Sequence, residues 1–166
     1  MRGLQLTLLI VSCILIFVIG ILNAIAATSI KAANTSNNDI LNRGYQFAIG
    51  ASVIDFIGLA LVITILIVLV VRTRNKIPDI IYKIFNIVLI LLLVSSILLT
   101  SVYTTLSITS TVSNDEQKKA YRFGIFSTLV NLLAILGILI LLVLVSGGSV
   151  QAQAVDTLRS ALGKFK

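Results

Sequence analysis

Asp55 is the one ionisable side chain well inside a long apolar stretch of this sequence, and it is the first place to look for chemistry. A carboxylate there is a candidate ligand for a cation or proton, or a buried hydrogen-bond acceptor. Ala51, Asp55, Gly58 and Val62 fall on one helical stripe, so small residues flank the carboxylate and allow a neighbouring helix to come close. Other apolar stretches carry polar groups at comparable positions. Ser96, Thr100, Tyr103 and Ser107 make one stripe, and Gly124, Ser127, Asn131, Ala134 and Gly137 make another. Asn23 stands near the end of the first stretch, and Arg122 sits at the mouth of the last, where its guanidinium is placed to neutralise Asp55.

The expected cluster is therefore Asp55, Ser96, Thr100, Ser127, Asn131 and Arg122, confined to one half of a helical bundle. As an ion site it would need polar groups at further depths, and the other half offers only Thr64 and Asn86. The favoured reading is hydrogen bonding between helices, at about 0.6 kcal/mol per contact in membranes. Nucleophilic catalysis is not expected, because the Ser and Thr residues at these depths have no His, Lys or Glu beside them. With no His and a single Cys, Cys13 inside an apolar run, the chain lacks the usual ligands for haem, zinc or an iron–sulfur cluster. No cofactor, metal or catalytic residue is expected, and the chain is read as non-enzymatic.

The elements that must position these residues follow from composition. Of 166 residues 58% are hydrophobic and 11% charged, with a mean hydropathy of +1.10, against roughly 45–50% and about 25% in soluble domains. The fold class expected is an all-α integral membrane protein: a four-helix transmembrane bundle, residues 1–146, with spans at about 4–27, 45–71, 83–103 and 121–145. Ala24-Ile25-Ala26 and Ile10-Val11-Ser12-Cys13 have the form of a signal-peptidase site and a lipobox. The apolar run is longer than the roughly 7–15 residues of a signal sequence, so the first segment is read as a span. Counting Phe56 to Val71 back from Arg72 puts Asp55 about 6 Å below the outer edge of a 30 Å apolar layer.

Residues 147–166 are expected to form a hinge at Gly147-Gly148 and an amphipathic C-terminal helix, with Val155, Leu158, Ala161, Leu162 and Phe165 on one face. Placing both termini on the cytoplasmic, inner side gathers eight of the thirteen Lys and Arg residues there, including the run from Arg72 to Lys83. Candidate inner contacts to lipid or a partner are Arg72, Arg74, Lys76, Leu158, Arg159, Leu162, Lys164 and Phe165. Asn34-Thr35-Ser36 on the outer side is a possible glycosylation sequon.

The partners expected are the lipid bilayer and other protein subunits, with no nucleic acid, and the role expected is that of a structural or assembly subunit of a membrane-associated complex. In size and hydropathy profile the chain resembles small tetraspan proteins that tie an inner membrane to the overlying shell in large DNA viruses, which implies an anchoring role as one alternative. A small channel or transporter using Asp55 is the other. Small multidrug transporters share the four-helix size but depend on a Glu deep in the first helix, and claudins, connexins and tetraspanins depend on extracellular cysteines; this sequence has neither.

Overall fold

The computed structural model describes residues 2–35, 38–71, 79–109 and 114–163. Arg72, Arg74, Lys76, Lys164 and Phe165 lie outside them. Four long apolar helices make up the regular structure among the described residues: α1 Arg2–Ala33, α2 Asp39–Val71, α3 Asp79–Thr109 and α4 Asp115–Gly163. Ile and Val are abundant and favour strands by side-chain shape, but small and polar residues recur every three or four positions rather than every two, which selects helix. All four helices are long and apolar enough to cross a membrane.

The helices pack in a ring, α1 on α2, α2 on α3, α3 on α4 and α4 back on α1. At one end, called here the turn end, α1 passes into α2 and α3 into α4. Every helix reaches past its expected span. With 31 to 33 residues, α1, α2 and α3 are each roughly 46–50 Å long, because their inward faces remain buried beyond the apolar runs: Ser29, Ile30 and Ala33 on α1, Leu41 on α2 and Ser107 on α3.

Asparagines finish the turn end. Asn114 and Gln117 form a reciprocal cap on α4: the Gln117 amide donates to Asn114 Oδ1 at 3.0 Å and the Asn114 amide to Gln117 Oε1 at 3.2 Å. Asn114 Nδ2 also donates to the Ala33 carbonyl at the end of α1, at 3.4 Å. Asn38 caps α2 by accepting from the Ile40 amide at 2.9 Å. Asn34 Oδ1 accepts from the Asn38 amide, and its Nδ2 donates to Asn42 Oδ1, both at 2.7 Å. The nitrogen a glycan would use on Asn34 thus holds α1 to α2. Replacing Asn114 by Ala should cost about 1 kcal/mol through loss of the cap, read as a lower unfolding midpoint in detergent.

One expected break is missing. The helix α4 continues through Gly147 and Gly148 to Gly163, so the C-terminal segment extends α4 and no separate amphipathic helix follows a hinge. Two glycines weaken a helix by about 1 kcal/mol each, but no proline or capping side chain follows them to end it. Leu158, Arg159 and Leu162 lie on this extension, with their side chains outside the described ones.

Two apolar clusters form the core. Nearest the turn end it is built largely from alanine: Ala26, Ala27, Ala33, Ala48, Ala51 and Ala120, with Ile30, Leu41 and Tyr103. Toward the other end it is built from larger side chains, including Leu9, Ile16, Ile19, Val62, Leu89, Leu93, Ile138 and Leu141. Small side chains let helix axes approach, which suits the alanine-rich turn end to close packing. The outward faces are apolar as well: Ile14, Ile57, Leu98, Phe126 and Val143 are all exposed.

Candidate functional site

Between the two apolar clusters lies a belt of buried polar residues contributed by every helix: Asn23 from α1, Ser52 and Asp55 from α2, Ser96 and Thr100 from α3, and Ser127 and Asn131 from α4. Their relative exposures run from 0 to 7%. Each belongs to a stripe of small or polar residues spaced three or four apart, and the helices close on one another along those stripes. A Cβ on Gly20 would stand 3.3 Å from the Phe56 ring and 3.5 Å from Asp55 Cβ, and one on Gly58 would stand 3.4 Å from Leu89. Such approaches bring backbones near enough for short polar side chains to reach across.

Asn23 is the hub. Its Nδ2 donates to Asp55 Oδ2 at 2.7 Å, while its Oδ1 accepts from Tyr103 Oη at 2.7 Å and from Thr100 Oγ1 at 3.4 Å. One amide therefore joins α1, α2 and α3. Ser52 Oγ donates to the Gly20 carbonyl at 3.1 Å, adding a second tie between α1 and α2. Ser96 lies beside the Asp55 carboxylate, although neither Ser96 Oγ nor Asp55 Oδ1 completes a hydrogen bond. Ser127 Oγ and both amide atoms of Asn131 are likewise buried without a hydrogen bond. The belt is bonded on its α1–α2–α3 side and left unmatched on α4.

The structure places five of the six expected cluster residues in this belt: Asp55, Ser96, Thr100, Ser127 and Asn131. The sixth, Arg122, points away. It is exposed on α4, and no ion pair joins it to Asp55 among the described residues. Its neighbour Gly124 packs against Tyr103 and Thr104, above the belt, so the guanidinium stands at the bundle's rim. A neutral amide, Asn23, takes the place expected for the cation. Since α2 starts at Asp39, Asp55 stands at its midpoint, sixteen residues from Asp39 and sixteen from Val71.

Toward the far end the polar groups also differ from expectation. Thr64 is exposed and donates to its own helix at the Ala60 carbonyl, 2.8 Å away. Among the described residues, Ser12, Tyr82 and Asn86 are the buried polar side chains there. Asn86 Nδ2 donates to the Tyr82 carbonyl at 2.9 Å, while Asn86 Oδ1 and Tyr82 Oη have no partner. Between these residues and the belt stand Ile16, Ile19, Val62, Leu89, Leu93 and Ile138, each at most 1% exposed. Two turns of close-packed aliphatic side chains separate the polar groups. No group of His, Cys, Asp and Glu suited to a metal occurs among the described residues.

The sequence points to Asn23 without making it central, and it gives no reason to assign Ser52. The signal it does carry is that Asn23 is the one amide side chain in its span beyond Gln5 at the start. No family model matches the chain, and neither a curated protein nor a solved structure matches it.

Proposed function

We propose that this chain is a multi-pass membrane protein with a non-enzymatic, structural role, one subunit of a larger membrane-associated assembly. The observation that carries this reading is the sealed belt. Its interhelical hydrogen bonds tie α1, α2 and α3 together, and a buried aliphatic layer lies between the belt and the polar groups of the far end. A substrate has no route to a group at most 7% exposed, and an ion crossing the bundle needs polar groups in series. The exposed Ile, Leu, Val and Phe side chains on all four helices suit hydrocarbon or the apolar faces of other subunits. Both termini are assigned to the inner side from the cations between Arg72 and Lys83. Tethering of a membrane to an overlying protein shell is one form such an assembly role takes.

A second reading, transport of a cation or proton, is favoured by one observation: Asp55 Oδ1 is buried and lacks a hydrogen bond. A single substitution separates the two. Asp55→Asn keeps hydrogen-bonding atoms at the position and removes the cost of burying a charge. The expected result is a folded chain that remains in its native complex on mild solubilisation and gives the same ion flux as wild type in vesicles. A cation or proton flux in the wild-type chain that disappears in Asp55→Asn would overturn the structural reading.

A further inference from the structure

At the turn end an open groove with a volume of about 380 Å³ lies between α3 and α4, within the size range of small-molecule sites. Its walls include Ser101, Thr105 and Ile108 from α3 and Tyr121, Ile125 and Leu129 from α4. The groove has many hydroxyls but few free donors. Ser101 donates to the Ile97 carbonyl, Thr105 to Ser101, Thr104 to Thr100 and Thr128 to Gly124, at 2.6 to 3.0 Å. With those protons already used inside each helix, the walls ask little of an occupant beyond apolar contact.

The rim is charged. Lys118 lies one turn before Tyr121, and Arg122 one turn before Ile125. Lys118 reaches Asp115 only at 3.8 Å, with both side chains well exposed, and Lys119 reaches Glu116 at 3.7 Å. Arg122 is exposed and has no ion pair among the described residues. An anion at this rim gains a planar guanidinium and a lysine that its carboxylate holds weakly.

We propose that this groove is a site for an acidic phospholipid, its phosphate held by Arg122 and Lys118 and one acyl chain laid between α3 and α4. Charge complementarity selects this occupant over a second copy of the chain, which would bring the same cations to the same rim. The inference rests on the membrane reading above, and alkaline extraction tests that reading separately: a chain released from membranes fails there, before any lipid is added.

The test is native mass spectrometry of the full chain in an uncharged detergent, titrated with phosphatidylglycerol and with phosphatidylcholine of identical acyl chains. Phosphatidylglycerol is expected to bind at least about tenfold more tightly, and the double variant Lys118→Gln, Arg122→Gln is expected to lose that preference. A control at the same end but off the groove, Lys31→Gln with Arg43→Gln, should keep it. Filling the groove with Thr105→Trp should weaken both lipids by similar factors, with the lipid-free unfolding midpoint confirming the fold. Equal affinity for the two lipids, a preference that survives the rim variant, or binding untouched by Thr105→Trp would each overturn the proposal. So would a concentration-dependent dimer that occupies the groove and is not displaced by lipid.

Discussion

Substituting Leu for Asn23 is expected to destabilise the bundle by about 2–5 kcal/mol, because it strands two buried hydrogen-bonding groups. Leu keeps the branch at Cγ but is bulkier, so some overpacking adds to a loss that is chiefly polar. Asp55 Oδ2 gives up its 2.7 Å donor, leaving a buried carboxylate whose other oxygen already lacks a hydrogen bond. Tyr103 Oη gives up its acceptor at a site with no solvent exposure. Stranding a neutral buried group costs about 1–3 kcal/mol and a charged one more, whereas the bonds themselves are worth only about 0.6 kcal/mol each in membrane helices. The asymmetry gives the test its sign. Adding Asp55→Leu to Asn23→Leu removes the stranded carboxylate and should restore much of the lost stability, so a double-mutant cycle in mixed micelles should show strong positive coupling. Additive losses, or a cost below about 1 kcal/mol for Asn23→Leu alone, would mean that Asn23 is not what closes the belt.

That dependence on one amide marks where sequence reading stops. Spacing of three and four is enough to find the faces of α2, α3 and α4 that turn inward, because a stripe of Ala, Gly, Ser and Asn among branched aliphatics lets a neighbouring backbone approach and gains nothing against lipid. It is also enough to put Asp55, Ser96, Thr100, Ser127 and Asn131 at one level. Which of them meet depends on helix rotation and on which pair of helices lies closest across the ring, and neither is encoded in a single helix's period. Arg122 shows the consequence: the right end of the right helix by sequence, yet nearly half a turn round the helix from Ser127 and Asn131, the residues of the stripe it was expected to serve. Helix ends differ from expectation for another reason. Hydropathy marks where apolar residues stop, while α1, α2 and α3 stop where caps and buried faces allow, several residues later or earlier. Gly147-Gly148 reads as a release point on composition alone, and nothing around it completes a terminating motif. The groove between α3 and α4 has no sequence signal at all, since its walls are side chains that only the pairing of the two helices brings together.

The contact at Gly124 also leads to the second large effect, a change of sign between two glycines on one helix. Alanine is worth up to about 1 kcal/mol over glycine within a helix, so either glycine of α4 is a candidate for stabilisation if its surroundings have room. Gly137 has room: an added Cβ would meet only Ser12 Oγ, at an ordinary 3.5 Å. Gly137→Ala should therefore raise the unfolding midpoint. At Gly124 the added Cβ would collide with Thr104 Oγ1 and stand 3.0 Å from the Tyr103 ring. Neither neighbour yields easily. Thr104 Oγ1 is fixed by its 2.6 Å bond to the Thr100 carbonyl, and Tyr103 is fully buried with its hydroxyl on Asn23. Overpacking of this kind costs about 1–3 kcal/mol, which exceeds the propensity gain, so Gly124→Ala should lower the midpoint and loosen the Tyr103–Asn23 bond along with it. Thr104→Ala in the same chain removes the atom that collides and should recover most of the loss, leaving only the tight Tyr103 ring contact. If Gly124→Ala proved as stabilising as Gly137→Ala, α3 and α4 would have to stand farther apart at this level than the structure has them, and the tie from Tyr103 to Asn23 would have to be held by something other than that packing.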